Sequence, residues 1–150
     1  MKKLLIYLSI SLCVLILFAG CSLEEKTPLD PLNYTTYVNK EITLVLNNME
    51  TCMANATLVN EGNIENELRN VNQALVLIQE SIDSVAAFTP PNEYGNDHLM
   101  VIQRMQDCYN SLIQYRTYLE TGNLNHIDDY VDDMQMKFTS LKAMFNNMNN

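Results

Sequence analysis

The chain has 150 residues, of which 18 are acidic and nine are basic, and its net charge at pH 7 is −9. This negative excess argues against a nucleic-acid-binding function, because Lys and Arg contacts to phosphate supply most of the affinity in such complexes. The length is that of a single domain with one hydrophobic core.

The N-terminus carries a basic head, an apolar run and a few small residues that end in a cysteine. Lys2 and Lys3 precede the apolar run over residues 4–18, and residues 17–21 read Leu-Phe-Ala-Gly-Cys. As a helix the run would reach ~23 Å, short of the ~30 Å hydrocarbon core of a bilayer. Its length is typical of the apolar region of a secretory signal peptide.

This arrangement resembles the lipobox of prokaryotic lipoprotein signal peptides. In that family a lipid is attached to the cysteine thiol, and a peptidase then cuts before the cysteine. The resemblance implies that residues 1–20 are a signal peptide and that Cys21 is the lipidated first residue of the mature chain. It also implies a protein anchored in the cell membrane by fatty acids and facing outside the cytoplasm. The alternative is an uncleaved N-terminal anchor with an unmodified Cys21.

The segment after Cys21 is polar and punctuated by proline, which is typical of a flexible linker. We predict that residues 21–33 form the lipidated cysteine and its tether. Removal of residues 1–20 would leave seven basic and 18 acidic residues, a net charge of −11. Lipid rather than basic charge must therefore hold the domain at an anionic membrane surface.

Four apolar stripes with a 4-3-4-3 spacing follow the tether. They run over residues 38–59, 64–85, 101–119 and 124–148. A 3.5-residue repeat keeps one seam of a helix facing its neighbours, and short connections make sequential helices antiparallel. We predict an all-α fold, an up-down-up-down four-helix bundle over residues 34–150, with helices at about 34–60, 63–88, 91–121 and 124–149.

The breaks between the stripes carry helix-ending residues. Gly62 is predicted as a glycine C-cap and Asn63 as the N-cap of the second helix, and Gly122 with Asn123 repeats this pattern before the fourth helix. Two prolines at 90 and 91 separate the second helix from the third.

Two cysteines of the mature chain, Cys52 and Cys108, fall on seam positions of the first and third helices. A disulfide between them suits an oxidising compartment. It would require a rhombic bundle in which the first and third helices touch, because disulfide Cα atoms stand ~4.4–6.8 Å apart. Two buried free thiols are the alternative.

Motifs for catalysis and cofactors are missing from the sequence. Neither histidine follows a glutamate by three residues, as di-iron bundles require, and no heme-attachment, hydrolase or phosphate-loop motif occurs. We predict no enzyme activity, no cofactor and no metal. His98 with nearby methionines could ligate a soft metal, and the acids from Asp128 to Asp133 could bind a hard cation. Core packing is the simpler explanation for the methionines, and stabilisation by the helix dipole is the simpler explanation for the acids.

The sequence thus predicts a membrane-anchored, non-enzymatic interaction or structural module that binds an unknown protein partner and no nucleic acid. The alternative is a small-ligand or metal-binding helical bundle at the cell surface. A core seam without polar breaks favours the first hypothesis, and a hollow among Tyr94, His98 and Met100 favours the second.

Overall fold

The computed structural model describes residues 30–148, which form four α-helices. These are α1 (Pro31–Ala56), α2 (Ile64–Ala86), α3 (Gly95–Glu120) and α4 (Ile127–Met148), with a short 3-10 helix (Asn92–Tyr94) before α3. The prediction of an all-α four-helix bundle is confirmed. The predicted signal peptide, Cys21 and most of the predicted tether lie outside the described residues.

The cross-section of the bundle is rhombic. Each helix packs against the next along the chain, and α4 returns to pack against α1. α1 and α3 also touch across the centre, whereas α2 and α4 make no contact within residues 30–148. The short diagonal of the bundle therefore joins α1 to α3, and the α1–α2 side lies opposite the α3–α4 side.

The core consists of the predicted seams. On α1 the stripe is buried from Val38 to Ala56, and on α3 it is buried from Val101 to Leu119. α4 contributes less, because Met134, Phe138 and Leu141 are its buried residues while its ends are partly exposed. Burial of these heptad-spaced side chains is the main favourable term in folding.

α1 begins three residues before the predicted start. The Asp30 side chain accepts a hydrogen bond from the backbone N–H of Asn33 at 3.1 Å, and Pro31 occupies the first helical position. A capping aspartate followed by proline favours helix initiation, because both satisfy or avoid the free N–H groups of the first turn. Residues 31–33 thus belong to the bundle rather than to the tether.

The first interhelical turn differs from the predicted pair of caps. α1 ends at Ala56, well before Gly62, and Gly62 does not have a positive φ angle. Asn63 precedes α2, but its side chain makes no capping bond to the helix. Its Oδ1 accepts instead from the backbone N–H of Asn60 at 2.7 Å, which closes the loop.

The turn before α4 contains the predicted glycine cap in a left-handed conformation. Gly122 has a φ angle of +69°, a conformation that favours glycine because other residues pay a steric cost there.

None of the helices in residues 30–148 combines the length and the apolarity needed to cross a bilayer. We call the end of the bundle that holds Pro31 the tether end and the opposite end, with residues 57–63 and 121–126, the far end.

Candidate functional site

Cys52 and Cys108 are free thiols in the structure, and both are buried. Burial raises the pKa of each thiol to about 12, with a further contribution from Glu67 at Cys52 and from Asp107 at Cys108. Since only a thiolate is a strong nucleophile, neither side chain is poised for covalent catalysis at neutral pH.

A disulfide between Cys52 and Cys108 would require contact between α1 and α3, and the structure has that contact. The two thiols nevertheless have different neighbours. Cys52 interacts electrostatically with Glu67 on α2 and Tyr115 on α3, at the far end. Cys108 interacts with Asp133 and Lys137 on α4. The structure thus has two buried free thiols, the alternative that the spacing left open.

A buried carboxyl interrupts the core near the far end. Glu67 is 4 % exposed, and its Oε1 accepts a hydrogen bond from the Tyr115 hydroxyl at 3.5 Å. Its Oε2 accepts from the Asn70 side chain at 3.3 Å, and the Asn55 side chain is a further hydrogen-bond partner. Burial nevertheless raises the pKa of Glu67, because desolvation outweighs these bonds.

Glu67→Gln is expected to raise the free energy of unfolding at pH 7 by about 0.5–2 kcal/mol, the range of single stabilising substitutions. The amide oxygen still accepts the Tyr115 bond, and the desolvated charge is gone. Because the folded pKa lies above the unfolded one, the wild type gains stability as the pH falls toward the unfolded value. The advantage of the variant should therefore shrink between neutral pH and about pH 4.5, as urea titrations across this range will show.

The matched control is Glu80→Gln, on the exposed surface of the same helix. We expect it to change the free energy of unfolding by less than about 0.5 kcal/mol. A Glu67→Gln variant whose free energy of unfolding at pH 7 equals or falls below that of the wild type would contradict a charge-burial cost at this site.

A second polar pair lies in the core at the tether end. The hydroxyl of Tyr34 and the Nδ1 of His98 share a hydrogen bond at 3.1 Å, and both side chains are buried. Burial lowers the pKa of His98 and raises that of Tyr34 to about 12. The ring of Tyr94 packs against Tyr34 with a centroid distance of 5.1 Å. His98 thus joins α1 to α3 and is not displayed at a surface.

The acidic start of α4 is an exposed helix terminus. His126 Nδ1 stands 3.6 Å from Asp129 Oδ2, and Lys137 pairs with Asp133 at 3.5 Å. Within residues 30–148, no three His, Cys, Asp or Glu side chains are grouped as metal ligands. Carboxylates in a first turn are stabilised by the helix dipole, which accounts for Asp128 and Asp129.

A groove runs along the surface between α1 and α2. It consists of three adjoining hollows of about 230, 270 and 190 Å³, which follow one another from the tether end to the far end. The first two share Asn48 and Leu77, and the last two share Asn55 and Asn70. Glu67 lies at the base of the last hollow. We call this surface the α1–α2 groove.

The groove is bordered by a second stripe of 4-3-4-3 spacing on each helix. On the α1 side the members are Leu44, Asn48, Thr51, Asn55 and Leu58, and on α2 they are Asn66, Asn70, Gln73, Leu77, Glu80 and Ser84. Of these eleven side chains only Glu80 is charged, and Lys40 and Glu41 add an ion pair to the lining at the tether end. The sequence analysis missed the groove because polar side chains outnumber the leucines in both stripes, although the heptad spacing could have revealed it.

A larger hollow of about 440 Å³ lies on the opposite side of the bundle, between α3 and α4 at the tether end. We call it the α3–α4 hollow. Tyr94 and Met100 border it as the sequence suggested, whereas His98 does not. The complete lining is Tyr94, Asp97, Met100, Arg104, Ser140, Ala143, Met144, Asn147 and Met148.

Comparisons of the chain with protein-family models, with curated proteins and with solved structures find no significant match. Two concave surfaces of the described bundle, the groove and the hollow, are lined by side chains of a distinctive chemistry. The middle of the groove is lined by no charged side chain on an acidic domain, and methionines from two helices line the hollow.

Proposed function

We propose that this protein is a membrane-anchored lipoprotein, held by lipid at Cys21 outside the cytoplasm, and that its bundle is a non-enzymatic interaction module. The lipobox-like sequence supports the anchor. Asp30 lies nine positions after Cys21, so the chain allows at most ~32 Å between the lipid attachment point and the bundle. The tether end therefore stays near the membrane and the sides of the bundle are free to bind.

The α1–α2 groove is the observation that carries the interaction function. Leu44, Leu58 and Leu77 are 42, 71 and 40 % exposed along it. Their stripe continues with amides that can both donate and accept hydrogen bonds. Two parallel stripes of heptad spacing are what a further helix needs for knobs-into-holes packing.

The partner of this groove is a helix of another polypeptide that carries leucines and amides at heptad spacing. The chain as a whole is strongly acidic, but the middle hollow of the groove is lined by no charged side chain. At its tether end, Lys40 and Glu41 pair with each other, which leaves Glu80 as the unpaired charge among the two stripes and this ion pair. Association there avoids the repulsion that a second acidic surface would meet elsewhere on the domain. Polar amides within such a seam favour one register over others, since a misaligned amide would lose its partner.

Site-specific photo-crosslinking of the full-length protein in native membranes tests this proposal. A photoreactive residue at Asn55 or Gln73 should give an adduct of defined mass, and mass spectrometry should map the attachment to a heptad-patterned helix. The matched control is Gln114, which is exposed on α3 and lies outside the groove. Adducts of equal yield from Gln114, or none from the groove positions, would contradict the proposal.

A charge placed in the groove provides the second arm of the test. Leu77→Glu should abolish the adduct from Asn55 and leave the helical circular dichroism signal unchanged, because Leu77 is 40 % exposed. An adduct from Asn55 that persists in this variant would contradict the packing of a partner helix along Leu77.

The second candidate function is a small-ligand or metal-binding bundle. The specific observation in its favour is the α3–α4 hollow, whose volume of about 440 Å³ is in the range of small-molecule sites. The polar pairs Glu67–Tyr115 and Tyr34–His98 also break the apolar seam.

A further inference from the structure

The methionines of the bundle fall into two groups. Of the eight in residues 30–148, four are buried and fill the core, namely Met49, Met53, Met105 and Met134. The other four are at least partly exposed, and three of these border the α3–α4 hollow. Core packing accounts for the first group. Met144 and Met148 also pack against the core with part of their surface, whereas Met100 does not, and all three border one open space.

The three methionines approach the hollow from two helices. Met144 and Met148 stand one turn apart on α4 and so share a face, because residues four apart are neighbours on a helix. Met100 borders the hollow from α3, and it is 50 % exposed. Each thioether sits on a side chain with three rotatable bonds, so the sulfur atoms can reorient within the hollow.

Thioether sulfur is a soft, uncharged ligand that selects Cu(I) over hard cations such as Mg²⁺ and Ca²⁺. It binds without losing a proton, unlike a thiol or a carboxyl group. It also forms no disulfide, so it persists as a ligand in an oxidising compartment where exposed thiols pair. Three such ligands at one place match the chemistry of a monovalent soft metal ion.

We propose that the α3–α4 hollow is a Cu(I) site whose ligands are Met100, Met144 and Met148. The nearby charges suit a monovalent cation. Asp97 supplies one carboxylate to the lining, and Arg104 is occupied by its ion pair with Asp107, with Nη1 and Oδ2 3.4 Å apart. His98 takes no part, because it is buried in a hydrogen bond with Tyr34.

The site is a development of the second candidate function, and it is independent of the α1–α2 groove on the opposite side. Its failure would leave the crosslinking results unchanged, and absence of groove adducts would leave copper binding unchanged. The two proposals can therefore be overturned separately.

Anaerobic titration of the full-length protein in detergent with Cu(I), against a chromogenic chelator, tests the site. We expect one Cu(I) per chain and sulfur ligation in the X-ray absorption spectrum. The triple variant Met100→Leu, Met144→Leu, Met148→Leu should weaken binding by more than roughly 100-fold, since changing even an outer partner of a metal site costs 10–100-fold. Leucine keeps nearly the same side-chain volume, so the fold should be retained.

Two control variants make the outcome decisive. Met136→Leu removes a methionine that is 59 % exposed on α4 but does not border the hollow, and it should bind like the wild type. Cys52→Ala with Cys108→Ala removes the two buried thiols and should also bind like the wild type. A wild-type protein that binds no Cu(I), or a triple variant that retains its affinity, would overturn the proposal.

Discussion

In a Cys21→Ser variant, fatty-acid labelling of the protein is expected to disappear and the full-length precursor is expected to persist. The lipid of a lipoprotein is attached through sulfur, and the peptidase that removes the signal acts on the lipidated form. Loss of the thiol should therefore block both steps. Metabolic labelling with a fatty-acid analogue, followed by mass measurement of the purified chain, will show both effects.

Cys108→Ala is the matched control, because it removes a thiol that is buried in the bundle. It should be labelled and cleaved like the wild type. Labelling that survives in Cys21→Ser would refute lipidation at this residue. A wild-type protein that carries no lipid and keeps residues 1–20 would establish the uncleaved anchor instead.

Leu112→Ala is expected to lower the free energy of unfolding by about 2–5 kcal/mol, the range for a leucine truncated in a packed core. Leu112 is fully buried on α3, the helix that packs against α2 and α4 and also touches α1 across the centre. Because small domains have a total stability of about 5–15 kcal/mol, this is a large fraction of it. Urea unfolding followed by circular dichroism will measure the change.

Leu99→Ala supplies the comparison on the same helix, with the same atoms removed. Leu99 is 67 % exposed, so its truncation should change the free energy of unfolding by less than about 0.5 kcal/mol. Similar decreases in the free energy of unfolding for the two variants would mean that the face of α3 with Leu112 is not the face buried in the core.

The helices could be predicted from the sequence because their apolar side chains repeat every 3.5 residues. This repeat specifies which face is buried, and the burial of Val38 to Ala56 on α1 confirms it. The helix ends were less predictable. α1 starts at Pro31 because Asp30 caps it, and α3 is preceded by a 3-10 turn. These ends depend on individual hydrogen bonds rather than on a repeat.

The candidate surfaces could be predicted only in part. The sequence drew attention to Tyr94 and Met100, which the structure places at the α3–α4 hollow, and to His98, which it buries beside Tyr34. Nothing in the linear pattern indicated that Met144 and Met148 share that hollow with Met100. Met144 and Met148 follow Met100 by 44 and 48 positions, and only the packing of α3 against α4 brings them together.

The sequence by itself determined the all-α fold, the order and approximate extent of four helices and the expectation of a lipid anchor, because each depends on residues that are close together in the chain. The tertiary structure decided the rhombic cross-section, the Glu67–Tyr115 pair, the amide-bordered groove and the methionine-lined hollow. These features depend on how helices are rotated and staggered against one another. A heptad repeat specifies the buried face of each helix, but it does not specify which side chains of two helices lie at the same height.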